Sequence, residues 1–228
     1  MKLVAGIVQL LIFQQCALVM GRAKPLNAEY PLCANVSNCN NNMTVIMTQI
    51  KLKINEMHSE AKCLFDSYVK NQQFDKYNLT SVCNPESIDF PKFNVANASE
   101  EEKMVELYKI FQYMKVAMGN ISQEQSELNP LQHHLLSKLN TSKAQIAAVI
   151  YNLSCILCRK YQITKVDVHY SMRFPTNTFK KKIRGCKILK KYKHFLLEAA
   201  NMMNGWIKNL GHNPDPSFNK HRCESGSL

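Results

Sequence analysis

Two cysteines three residues apart, Cys155 and Cys158, form the pair in this sequence best placed to do chemistry. Thiols at this spacing can form a redox pair, supply half of a four-thiolate zinc site, or bind two separate disulfide partners. A redox pair belongs beside a strand in a thioredoxin-like unit, which this sequence does not show, and a zinc site competes poorly with oxidation outside the cell. We therefore interpret both as structural, tying a helix to an N-terminal segment that carries Cys33 and Cys39.

The first 23 residues have the features of a cleaved signal peptide. Lys2 gives a positive start, residues 3–20 are mostly apolar, and Gly21 and Ala23 place small residues where a signal peptidase cleaves. Glutamines interrupt the apolar run and no stop-transfer pattern follows, which favours a signal peptide over a membrane anchor. We expect a secreted, extracellular protein without membrane insertion, in which Cys16 is lost and the other cysteines oxidise.

The density of glycan acceptors agrees with secretion. Seven Asn-x-Ser/Thr sites follow the signal peptide, namely Asn35, Asn42, Asn78, Asn97, Asn120, Asn140 and Asn152. We predict a glycoprotein, with the last site largely unmodified because its helix folds and its neighbour Cys155 is bridged.

The formal net charge of +12 indicates a polyanionic partner or an acidic receptor face. Nucleic acid is not expected outside the cell, so a heparan-type polyanion is the better candidate. The alternative for most of these lysines is a solvated face that keeps the protein soluble.

The histidines do not predict an enzyme. They are scattered, and none stands with a carboxylate or lysine in an acid–base arrangement of the kind that a secreted nuclease needs. Those considered are His133, His134, His169, His194, His212 and His221. We predict no catalytic residue, cofactor or metal.

Apolar residues recur at helical spacing in four long stretches. The predicted helices cover about 43–70, 99–118, 130–161 and 176–205. The second begins with a capping box, in which Ser99 and Glu102 bind each other's backbone, and we expect it to end near Gly119. Residues 24–42 are predicted to be an extended N-terminal segment, 163–170 a short extended segment, and 206–228 a mostly disordered tail.

The connections between these helices predict their directions. About 27 residues join the first helix to the second, and about 15 join the third to the fourth, which is enough for each link to run back along a helix. The short link between the second and third helices allows only an antiparallel return. The prediction is an all-α, long-chain four-helix bundle, up-up-down-down, with two long crossover loops over residues 43–205.

Residues from Cys33 to Ala200 resemble the leukaemia inhibitory factor/oncostatin M family of long-chain helical cytokines. The strongest matches are IDFPKF at 88–93, CILCRKY at 155–161 and FKKK at 179–182 followed by Gly185 and Cys186. The resemblance implies the disulfide pairs Cys33–Cys158, Cys39–Cys155 and Cys83–Cys186. Cys63 and Cys223 lie outside the family pattern and are left open as free thiols, a pair, or a link between two chains.

The resemblance also implies two binding surfaces. A Phe-x-x-Lys motif, here Phe179 and Lys182, binds a private subunit of the leukaemia inhibitory factor receptor type. A second face, here Gln49, Ala148 and Asn152, binds a shared signal-transducing glycoprotein subunit, and the pair of receptors triggers intracellular kinases that control growth and differentiation. Two alternatives remain: that Phe179 only caps the end of the bundle, and that the protein is a basic, heparan-binding growth modulator without a receptor pair.

Overall fold

In a computed structural model, four long helices form the described part of the chain, which comprises residues 24–36, 39, 42–172, 174–208 and 223. The helices are α1 (Met43–Asn71), α2 (Glu100–Leu128), α3 (His133–Arg159) and α4 (Thr178–Lys208). The predicted signal peptide and most of the predicted tail lie outside the described residues. None of the described helices combines the length and apolar character needed to cross a membrane.

Side-chain caps begin the first two long helices. The side chain of Asn42 accepts hydrogen bonds from the backbone N–H groups of Thr44 and Val45 at the start of α1. At the start of α2, Ser99 Oγ accepts from the Glu102 N–H at 3.2 Å, and Glu102 Oε2 accepts from the Ser99 N–H at 2.7 Å. The predicted capping box is therefore confirmed.

The predicted end of α2 near Gly119 was wrong, because the helix continues to Leu128. A glycine inside a helix costs only about 1 kcal/mol, and tertiary packing of an apolar face overrides a penalty of that size. Ile121 and Gln125, beyond the glycine, are fully or almost fully buried. The turn between α2 and α3 is correspondingly shorter than expected, and α3 begins at His133, after Pro130.

Contacts between the helices establish the predicted up-up-down-down bundle. Gln72, just after α1, donates to Gln125 near the end of α2 at 2.7 Å, so these two helices run in parallel. Tyr68, near the end of α1, contacts Lys182 near the start of α4, so α1 and α4 run in opposite directions. Lys160 pairs with Glu100 at 2.7 Å and joins the end of α3 to the start of α2.

The two segments expected to be extended pair with each other, which the sequence analysis did not predict. Strand β1 (Lys24–Pro31) and strand β2 (Lys165–Met172) form an antiparallel ribbon, with Lys24 opposite Met172 and Pro31 opposite Lys165. Alternate residues of β2, among them Val166 and Val168, are buried. The ribbon therefore fixes the crossover between α3 and α4 to the start of the described chain.

Four disulfides fix the segments outside the helices. Three of them are the pairs that the family resemblance implied, and the fourth joins the two remaining cysteines to each other. The pairs are Cys33–Cys158, Cys39–Cys155, Cys83–Cys186 and Cys63–Cys223. The last one holds residue 223 against the C-terminal half of α1.

The first crossover, between α1 and α2, packs against α4 through aromatic side chains. The rings of Phe90 and Phe93 lie 6.4 Å and 5.4 Å from the ring of Phe195, which also meets Phe111 of α2 at 5.3 Å. The first crossover is thus part of the core, in addition to its Cys83–Cys186 bridge to α4.

Candidate functional site

Phe179 is presented to solvent at the capped start of α4. Asn177 Oδ1 accepts from the backbone N–H groups of Phe179 and Lys180 at 2.9 Å and 3.2 Å, which fixes the first turn of the helix. Phe179 is 60 % exposed, so most of its surface is not covered by the end of the bundle. Lys182 follows one turn later, is half-exposed, and forms no ion pair within the described residues. We call Phe179 and Lys182 the tip.

The backbone beneath the tip is anchored to the core by Tyr68. Its hydroxyl donates to the Lys182 carbonyl at 3.0 Å and accepts from Gln125 Nε2 at 3.3 Å. Complete burial raises the pKa of Tyr68, so the hydroxyl stays protonated and remains a donor. The tip therefore stands on a neutral, hydrogen-bonded contact between α1, α2 and α4.

A buried ion pair joins α4 to α2 one turn further on. Arg184 donates to Glu124 Oε1 at 2.8 Å, and its guanidinium lies 5.1 Å from the centre of the Phe174 ring. Burial raises the pKa of Glu124, and the charge of Arg184 opposes that rise. Since breaking a buried pair leaves an uncompensated charge, this contact fixes the position of α4 relative to α2.

The three residues predicted for the second surface lie on one side of the bundle. Gln49 and Ala148 are exposed, and Asn152 is half-buried. Asn152 Nδ2 donates to Gln49 Oε1 at 3.5 Å, which brings α1 and α3 together. Ala148 lies one turn before Asn152 on α3, so the structure places all three on adjoining faces. We call Gln49, Ala148 and Asn152 the side patch.

Apolar residues beside the side patch were missed by the sequence analysis. Val45 and Leu52 lie four residues before and three after Gln49, on the same face of α1, and are 37 % and 48 % exposed. Tyr151, next to Asn152, is 39 % exposed. The sequence signal that could have found them is that they are apolar but lie outside the helical positions that form the buried apolar stripe. They add exposed apolar area beside the side patch.

The structure supports the expectation that Asn152 is largely unmodified, which stays a prediction. Asn152 is half-buried, and its side-chain nitrogen, which would carry the glycan, donates to Gln49 at 3.5 Å. By contrast Asn42, Asn78, Asn97 and Asn140 are exposed, while Asn120 is half-exposed and donates to the Val116 carbonyl.

One protein-family model matches this chain, that of the LIF / OSM family, over residues 45–203, which is more than half of the sequence. The chain belongs to the LIF / OSM family. LIF / OSM proteins are secreted cytokines without enzymatic activity, and they bind gp130-type receptor subunits. The matched region contains the tip, the side patch and most of all four helices, so both surfaces lie within the family fold. Within the described residues no cluster of three or more His, Cys, Asp or Glu side chains could hold a metal ion.

Proposed function

We propose that this cytokine is secreted and joins two different receptor chains. In this function it most resembles leukaemia inhibitory factor. The tip binds a private subunit of the leukaemia inhibitory factor receptor type, and the side patch binds the shared signal-transducing subunit. Bringing the two chains together triggers intracellular kinase signalling that controls growth and differentiation. The observation that carries the proposal is an aromatic side chain, Phe179, left largely exposed beside a lysine on a rigid helix end.

The separation of the two surfaces supports simultaneous binding. Tyr68, which contacts the tip, lies 19 residues beyond Gln49 on α1, or roughly 28 Å at the rise of an α-helix. The tip and the side patch are thus at different heights of a cross-linked bundle. A ligand of this shape can hold two receptors at a fixed distance without changing its own conformation.

The tip is tested by Phe179→Ala, with binding to each receptor ectodomain measured separately on a surface. We expect a loss of about 2 kcal/mol or more toward the private subunit only, because truncation removes an interface anchor. Leu197→Ala, at a 46 % exposed position on the same helix, is the matched control and should leave both affinities unchanged. Circular dichroism and melting should be unaltered, and a loss of fold in Phe179→Ala would mean that the ring is structural.

Lys182→Glu tests the charge at the tip. It should act mainly on the association rate with the private subunit, and the effect should shrink as salt is raised. An effect confined to dissociation and independent of salt would contradict a steering role.

The side patch is tested by Ala148→Arg, which places a long charged side chain on the exposed face of α3. We expect weakened binding to the shared subunit and unchanged binding to the private one. Gln123→Arg on α2, also at an exposed position, is the control. Equal effects of the two substitutions would move the shared surface elsewhere.

Binding to a heparan-type polyanion is a second property that the charge of +12 supports. If polyanion binding were the sole function, the protein would be retained on heparin in a salt-sensitive way and would recruit neither receptor chain. The presence of a solvent-exposed aromatic tip favours the receptor-joining function, with polyanion binding as an addition to it.

A further inference from the structure

The outward face of α4 carries a row of basic side chains, which we call the basic stripe. Its members are Lys180, Lys187, Lys190, Lys191 and His194. Their successive spacings of seven, three, one and three residues place them on one side of the helix, over roughly 21 Å. The opposite side faces the core, where Ile188, Leu189 and Tyr192 are buried. Lys180 and His194 are exposed and the other three are half-exposed, so the row lies on the solvent side of α4.

The positive charge of this face is not balanced by its own helix. Within α4 the only acidic residue is Glu198. Lys180, Lys190 and Lys191 form no ion pair within the described part of the chain. The pKa of His194 is lowered by burial and then by the charges of Lys193, Lys190 and Lys191, which agrees with a positive field along the row.

Some lysines on the other helices have acidic partners on the same helix. Lys53 and Lys62 of α1 pair with Glu56 and Asp66 one turn away, both at 2.6 Å, and Lys109 of α2 pairs with its own helix in the same way. Mixed charges of this kind are what a face kept for solubility shows. Lys180, Lys190 and Lys191 of the basic stripe form no such pair within the described residues. The basic stripe differs by gathering its cations on one face of one helix.

The basic stripe is also free of predicted glycans. All the Asn-x-Ser/Thr sites precede residue 153, and none lies in the sequence of α4. A large ligand can therefore approach the outward face of α4.

We propose that the basic stripe binds a linear sulfated polysaccharide of the heparan type. An extended polymer with regularly spaced negative groups is complementary to a straight row of cations. A lipid surface fits less well, since a helix that binds membranes exposes an apolar face. Among the described side chains of α4, the large hydrophobic residues that are exposed are Phe179, at the tip, and Leu197. This inference rests on the polyanion binding proposed above and assigns it a site, and it does not depend on the receptor-joining function.

The test compares two triple variants that remove the same charge. One carries Lys180→Gln, Lys190→Gln and Lys191→Gln, and the control carries Lys115→Gln, Lys138→Gln and Lys143→Gln on α2 and α3. Binding of a size-defined heparin fragment is measured over a series of NaCl concentrations. In the stripe variant the slope of log Kd against log salt should fall by about one per lysine, and affinity should weaken on the order of tenfold or more.

The control triple should change affinity by no more than about twofold, since by this proposal its lysines do not touch the polymer. Equal losses in both triples would show that net charge alone drives binding and would overturn the proposal, as would an unchanged stripe variant. Desulfated heparin should bind weakly, and phosphatidylserine vesicles that bind as tightly as heparin would also overturn it. Circular dichroism checks the fold, and the single variant Lys191→Glu, at a half-exposed position, serves if the triple variant melts early.

Discussion

Two helical glycines show how much a single position depends on its neighbours. A Cβ added at Gly185 would lie 2.2 Å from the Tyr68 hydroxyl oxygen, whereas one added at Gly119 would meet nothing within 4 Å. The sequence analysis identified Gly185 only as part of a family motif, and it wrongly predicted that a helix ends near Gly119. Neither environment can be deduced from the sequence, because both depend on which residue of another helix lies opposite.

Alanine at these two glycines should have opposite effects on stability. Gly185→Ala should destabilise the protein by about 1–3 kcal/mol, because the new methyl displaces the hydroxyl that anchors Lys182. Gly119→Ala should stabilise it by about 0.5–1 kcal/mol, because alanine is the better helix former. Urea unfolding of both variants checks this, and similar effects at the two positions would contradict the contact with Tyr68.

Two histidines should make the protein less stable in mild acid. Burial lowers the pKa of His58 and of His194 from the ordinary 6.5, so the unfolded chain binds protons more tightly at these sites. The free energy of unfolding should therefore fall as the pH drops through the region just below 6.5, and the loss is complete below the folded pKa values. The free energy of unfolding is measured at pH 7.5 and pH 5 for the unmodified protein and for the double variant His58→Gln/His194→Gln. The difference in pH dependence between the two is the contribution of the histidines. A pH dependence that is unchanged in the double variant would contradict it.

At the scale of whole elements, the sequence predicted the four long helices because each carries a sustained apolar period. It also predicted the capping box, since Ser99 and Glu102 are neighbours along the chain. It did not predict that β1 pairs with β2, which requires residues more than 130 positions apart to meet. The side patch shows the same limit: Gln49 and Asn152 came from family resemblance, while Val45 and Leu52 became visible only when exposure was known.

The disulfides should differ in what their removal costs. Cys83 and Cys186 are fully buried where the first crossover meets α4, whereas Cys223 is exposed. Replacing both cysteines of the buried pair by alanine should cost about 2–5 kcal/mol and loosen the aromatic contacts around Phe195. The same replacement of Cys63 and Cys223 should cost less, because little packing is lost with it. Melting temperatures of the two double variants test this order, and the reverse order would mean that the tail contributes to the core.

For the molecule as a whole, the two surfaces should act independently. Because the tip and the side patch lie on separate parts of a rigid bundle, Ala148→Arg should still occupy the private receptor while failing to recruit the shared one. Such a variant should inhibit signalling by the unmodified cytokine in proportion to its concentration. A reporter-cell assay with mixtures of the two proteins measures it, and full signalling by Ala148→Arg would argue against a shared-receptor surface at this site.

The Cys63–Cys223 bridge has a practical consequence for anyone who attaches a fluorescent protein or an antibody fragment to this cytokine. Residue 223 is held with its Cα 5.4 Å from that of Cys63, so cargo fused after Leu228 is tethered to the C-terminal half of α1 through five residues. Cys63 lies two heptads after Gln49, a spacing that returns to nearly the same side of the helix. A C-terminal fusion would therefore start on the side of α1 that carries Gln49, but roughly 21 Å along the helix from it and closer to Tyr68 beneath the tip. Its linker must keep the cargo clear of both receptor surfaces.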